Sequence, residues 1–255
     1  TNQFGWDWDF LVAGYGEEDV ANGDIDIYGT TASKEMDFGT VTGKLYQARL
    51  VGSQLNVLGL GVADVAVSDV VTMGGEFAFT DVSNADSDFL ANVNAEFAAS
   101  DALTVTGMVE IVGEDFTAWQ NDLEEDRDYN KFNIGAEYVL NENNPVTGDY
   151  TFVQPGDSNY YAANQDEDKS TVEVGLENVY GDFTNNASIS YTMNDTYRED
   201  ATDRVLELGT EYTWNETTTL GASLVNVAQE DTNEDNVINY NYLKGNVDKE
   251  LADNV

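Results

Sequence analysis

The chain of 255 residues contains no cysteine and no histidine, two prolines, and only 10 Lys and Arg against 49 Asp and Glu. Without cysteine there is no disulfide and no thiolate metal site. Without histidine the usual general base is missing, so hydrolase triads and most zinc enzymes are excluded. Any catalysis would rest on carboxylates alone, and the chain reads as a non-enzyme. The shortage of basic residues leaves a formal net charge of −39, which repels nucleic acid and anionic headgroups, so nucleic acid is excluded as a partner. Such an acidic excess suits a protein that works in high salt, a halophilic trait, or one that collects cations. No apolar run reaches the roughly 18 residues of a transmembrane helix, which says nothing against a transmembrane barrel.

What is present is β-forming. Fourteen Tyr, eleven Phe and 22 Gly, with many Asn and Thr, describe strands joined by polar turns. The clearest unit is the hairpin Asp203 to Glu230. On its first strand Leu206, Leu208, Thr210, Tyr212 and Trp214 share one side, and Glu207, Gly209, Glu211 and Thr213 share the other. After a turn at Asn215, Glu216 and Thr217, the return strand sets Leu220, Ala222 and Leu224 against Gly221, Ser223 and Val225.

The same grammar covers most of the chain. Strands are expected near 70–81, 88–98, 102–113, 131–141, 146–154, 170–180, 184–194, 203–214, 218–229 and 236–244. Short turns alternate with longer polar connections. Residues 1–69 are less regular. Trp6, Trp8, Phe10 and Val12 alternate with Asp7, Asp9, Leu11 and Ala13 as in a strand, and 23–29 and 40–51 are strand candidates. The run QLNVLGLGVADVAV, apolar on both faces, is read as a strand in preference to a short helix. The expectation is one β domain over 1–255, with 1–69 supplying either its first strands or a plug. A repeat places Glu96, Glu137, Glu177 and Glu211 at matching positions two strands apart, each ahead of a short turn.

Two architectures fit two-faced strands. In a soluble β-sandwich the apolar faces meet and the acidic faces see water. In an antiparallel up-and-down transmembrane β-barrel the apolar face meets lipid and the acidic face lines a wet lumen. Expected strand lengths of about 9–12 residues exceed the soluble average of about 5–6. The short-turn, long-loop alternation and the aromatics Phe97, Tyr138, Tyr212 and Trp214 beside short turns also favour the barrel, with roughly 10–14 strands.

Segments such as AEFAASDALTVTGMVEIV and GTEYTWNETTTLGASLVNV resemble an outer-membrane β-barrel porin, in particular the barrel part of acidic porins that carry an S-layer-homology anchor. The resemblance covers about residues 70–244 and rests on strand–turn grammar. It implies a passive channel for small hydrophilic solutes in a bacterial outer membrane, in contact with lipid and often a homo-oligomer. Porins of this kind usually finish on an aromatic strand end, whereas the last aromatic here is Tyr242. A Thr at the first position and no signal peptide fit a mature or trimmed chain.

The functional expectation is a cation-leaning pore lined by Glu96, Glu110, Glu137, Glu173, Glu177, Glu207 and Glu211, since carboxylates raise the local cation concentration. The bland alternative is a solvated face of a secreted or surface-layer sandwich from a salt-rich habitat. No organic cofactor is expected. Asp231, Asn233 and Asp235 place oxygens at alternate positions, as at the front of a Ca2+ loop. The glycine expected at the sixth position is absent and Tyr242 stands where the acidic twelfth residue belongs, so a solvated loop is the stronger reading.

Overall fold

A computed structural model describes residues 2–3, 5–15, 25–50, 53–83, 86–116, 128–156, 168–195, 201–215, 218–231 and 236–249. The described residues are all strand, turn and loop. After the two-residue β1 (Asn2–Gln3) come β2 (Trp6–Tyr15), β3 (Ile25–Met36), β4 (Gly39–Leu50), β5 (Ser53–Ser68), β6 (Val71–Val82), β7 (Asp88–Ser100) and β8 (Leu103–Val112). They are followed by β9 (Tyr129–Val139), β10 (Pro145–Pro155), β11 (Asp168–Tyr180), β12 (Phe183–Asp195), β13 (Ala201–Asn215), β14 (Thr218–Asp231) and β15 (Asn236–Lys249). The strands neighbour one another in sequence order in one 15-stranded sheet, an antiparallel up-and-down meander. Residues 1–69 thus supply strands, and QLNVLGLGVADVAV lies in β5.

The turns follow from local chemistry. Ser68 and Ser100 each accept a bond from the backbone N–H two residues on, at Val70 and Ala102, which closes the turns at Asp69-Val70 and Asp101-Ala102. The β11–β12 hairpin turns on Gly181, whose φ of +61° is the left-handed conformation that a two-residue hairpin needs at that point. Between β9 and β10, Asn141 Oδ1 accepts from the N–H of Asn143, an Asx turn.

Two compact units are distinguished: Thr1–Phe97 with Gly107–Phe132 and Gln154–Asp166, and Ala98–Thr106 with Asn133–Val153 and Glu167–Val255. In the first, register brings Phe10, Thr30, Leu45, Leu58, Phe79 and Phe89 into one cross-strand row. All but Thr30 are large hydrophobics, and those are well exposed. The other face of this unit carries both its buried apolar clusters. Ile27, Ala48 and Leu55 pack with Leu11, Val57 and Val82, and Ala78, Val112 and Phe116 pack with Leu90 and Tyr129. β5 is bulged between Val62 and Val65, with Asp64 at φ +55°.

In the second unit Leu176, Ala187, Leu208, Leu224 and Leu243 form the equivalent apolar row. Beside the short connections Tyr180, Phe183, Tyr212 and Trp214 gather, the Phe183 and Tyr212 rings 4.8 Å apart. Among the described residues no second layer covers the apolar row: Leu208 is 48% exposed, while Val225, on the opposite face, is fully buried. The sandwich alternative is not realised, because a sandwich would bury those leucines against a second sheet.

Candidate functional site

The side chains able to act on a solute lie on the polar face of each unit. Strict alternation in long antiparallel strands puts them there, since a one-residue slip would exchange the two faces.

In the first unit, Glu96 lies opposite Thr72 and Asn92 opposite Glu76. Asn92 Nδ2 donates to Glu110 Oε2 at 3.1 Å, the Tyr129 hydroxyl donates to Glu110 Oε1 at 2.8 Å, and Asn94 Nδ2 donates to Asn92 Oδ1 at 3.4 Å. Glu110 is therefore a half-buried carboxylate held at both oxygens by neutral donors. Across the same face Lys44 Nζ lies 2.9 Å from Glu76 Oε1. Lys44, Glu76, Asn92 and Glu110 line a cavity of about 470 Å³ whose walls include Thr42, Asn94 and Leu90. Its floor at Gly61 is open because a Cβ there would meet only the Gly75 carbonyl oxygen, at 3.7 Å.

Nearby, Gly29 makes room for the Tyr46 ring, whose hydroxyl bonds Thr31 Oγ1 at 2.6 Å. The start of the β8–β9 connection is fixed to this face. Phe116, 6% exposed, packs on Ala78 and Val112, and the N–H of Asp115 donates to Asp88 Oδ2 at 3.0 Å.

In the second unit the expected glutamates share one face. Glu173 lies opposite Asp149 on one side and Ser190 on the other. Glu207 lies between Ser188 and Val225 and accepts from Lys244 Nζ at 3.3 Å. Glu177 and Glu211 fall on the same side by register, two strands apart, and Glu137 joins them by alternation from Asn133, which bonds Asp149 and Thr151. The repeat has a structural sense here. In Gly135-x-Glu137, Gly175-x-Glu177 and Gly209-x-Glu211 the glycine occupies the polar face. A Cβ there would strike Asp149 or Thr106, Thr147 and Asn186 respectively, so a neighbour's polar side chain lies flat where the glycine leaves space.

Sequence reasoning placed all seven glutamates on the polar face of their unit. It did not foresee the ion pairs Lys44–Glu76 and Lys244–Glu207, or the inward packing of Phe116. The last had a weak signal, an aromatic three residues after Gly113 in a largely acidic connection. The polar face is also less uniformly acidic than expected, since Leu55 and Val225 lie on it fully buried. The Ca2+ candidate falls outside the described residues, because 232–235 are not among them and no side chain of Asp231 is described. Among the described residues no group of three or more His, Cys, Asp or Glu could hold a metal ion.

An antiparallel meander of long strands, exposing its apolar side chains on one face and setting its carboxylates on the other, has the architecture of outer-membrane β-barrels. Comparison with solved structures agrees. The chain is similar to the outer membrane channel DcaP of Acinetobacter baumannii, with a TM-score of 0.52 at 11% identity, over 95% of this chain and 96% of that one. It is similar to the outer membrane protein OmpT of Vibrio cholerae in its trimer form, with a TM-score of 0.50 at 12% identity, over 95% and 99% of the two chains. At this identity the likeness shows the fold, an all-β up-and-down barrel of the outer-membrane type. No family model and no curated protein matches the chain.

Proposed function

We propose that this protein is a passive channel of a bacterial outer membrane for small hydrophilic solutes, leaning toward cations through a lumen lined by Glu96, Glu110, Glu137, Glu173, Glu177, Glu207 and Glu211. One observation carries the reading: a face of large apolar side chains is left uncovered on the sheet. In β13 of the second unit Leu206 and Leu208 are exposed while Asp203, Val205 and Glu207 are half-buried. The apolar-face residues Val172, Val174, Leu176, Ala187, Ile189, Tyr191, Leu206, Leu208, Leu220, Ala222 and Leu224 form a continuous patch, and Arg204 stands at its edge on the same face, opposite Tyr191 and Ala228. Water gives no reason for that arrangement, and lipid does.

A lipid-facing belt accounts for the aromatics as well. From Phe183 to Tyr191 the apolar face of β12 extends about 27 Å along the strand at roughly 3.4 Å per residue. When the strand is tilted, that is close to the thickness of the apolar band of outer-membrane barrels. Cation preference follows from the acidic excess on the polar faces, where carboxylates in a restricted aqueous space raise the local counter-ion concentration. The acidic composition and strand–turn grammar also support a likeness to S-layer-homology-type porins.

The test is reconstitution. Protein folded in detergent and added to a planar bilayer should give step-like conductance, and a KCl gradient should give a reversal potential of the sign for cation preference. The substitutions Glu137→Gln and Glu211→Gln should move that potential toward zero. A protein that stays monodisperse without detergent and opens no conductance overturns the channel reading, and an anion-selective reversal potential overturns the lining.

A further inference from the structure

We infer that the cavity on the polar face of the first unit is a binding site for a small alkylammonium ion, a protonated primary amine with a short carbon stem, and that Glu110 is its anchor. The inference rests on the channel reading for its biological setting and on the cavity's own chemistry for its ligand.

Three ionisable side chains line the cavity: Lys44, Glu76 and Glu110. Lys44 and Glu76 neutralise each other at 2.9 Å. Glu110 is held by Asn92 and Tyr129, both uncharged, and among the described residues it forms no ion pair. The lining therefore carries one negative charge that nothing in it balances. The hydrogen bonds orient that charge without using it up, because each carboxylate oxygen has two lone pairs and, among the described residues, Glu110 accepts one bond on each. Asn94 in turn steadies Asn92. An ammonium group meeting this carboxylate gains a charge-assisted bond to an acceptor whose geometry is already set, so little ordering cost remains.

The apolar wall selects the rest of the ligand. Leu90 lines the cavity and also packs against the cluster of Ala78, Val112 and Phe116. A bare alkali ion draws nothing from that surface, whereas a methylene chain attached to the ammonium buries against it. Gly61 keeps the floor open to a stem of this width.

The experiment uses the whole chain folded in detergent micelles, with binding of n-propylammonium chloride followed by isothermal titration at constant ionic strength. Affinity should rise about fourfold per added methylene from methylammonium to butylammonium. It should fall by at least about tenfold in E110Q, as loss of a charged hydrogen-bond partner implies. In L90A the chain-length dependence should flatten while methylammonium binding persists, which separates loss of the wall from loss of fold. D69N, which removes one carboxylate from the exposed β5–β6 turn, should bind like the parent protein and so controls for net charge. Equal affinity in the parent and E110Q, or potassium competing as well as butylammonium, overturns the site. Conductance in bilayers with no propylammonium affinity in micelles also overturns it and leaves the channel standing. Affinity lost in E110Q, in a protein that opens no conductance, supports the site and refutes the channel.

Discussion

Replacing Leu208 by arginine asks directly what the apolar face touches. Leu208 sits on β13 between Ala187 and Leu224, within a cross-strand row that offers no carboxylate. It lies four residues from Tyr212 in the aromatic group beside the short connection, about 14 Å along the strand and about 10 Å in depth at a tilt of roughly 40°. That is near the middle of an apolar band about 25 Å tall, where arginine on the lipid face costs about 2–4 kcal/mol. If the face met water, the same change at a side chain already 48% exposed would stay within about 0.5 kcal/mol.

The assay is reversible denaturant unfolding of protein folded into phospholipid vesicles, with tryptophan emission as the probe. Two companions fix the interpretation. W214R, at the aromatic end, should cost no more than about 1 kcal/mol. S188R, on the polar face directly opposite Glu207, should be neutral or slightly favourable. The reasoning is refuted if L208R and W214R agree within about 0.5 kcal/mol, or if S188R is the most damaging of the three.

Phe116→Ala should cost about 3–5 kcal/mol locally, because the ring is buried against Ala78 and Val112. Faster amide exchange at Gly113 and Asp115, with the strand cores unchanged, would show it. Gly29→Ala places a Cβ against Tyr46 Cδ1, so the ring must move and its bond to Thr31 is lost. A cost of about 1–3 kcal/mol in vesicle unfolding is expected, and a neutral result would mean that Tyr46 is free to move. Glu173→Gln removes a like-charge opposition with Asp149 and should stabilise by about 0.2–1 kcal/mol at low salt, a gain that shrinks as salt is added.

Strand positions were legible to within a few residues from β7 onward, since a period of two sustained over ten or more residues has only one face assignment in each strand. The same alternation told which glutamates share a side: Glu207 and Glu211 needed only Leu206, Leu208 and Tyr212 between and beside them. β5 was harder, because Leu55, Val57, Leu58 and Leu60 make both of its faces apolar. The structure explains why, with Leu55 buried in a cluster on the polar face and Leu58 exposed on the other. Contacts between strands distant in sequence were not legible. Lys44 reaches Glu76 and Lys244 reaches Glu207 across a strand, and these pairings depend on register, which local sequence does not contain.

By itself, then, the sequence determined the strand periodicity, the two chemically opposed faces, the acidic excess and the absence of cysteine and histidine chemistry, because these follow from residue type and spacing alone. Only the tertiary structure decided which face is covered. It left the leucines of the apolar rows uncovered, with the carboxylates on the opposite side. It also decided how charges are partnered among the described residues, because register carries Lys44 to Glu76 and leaves Glu110 to the uncharged donors Asn92 and Tyr129.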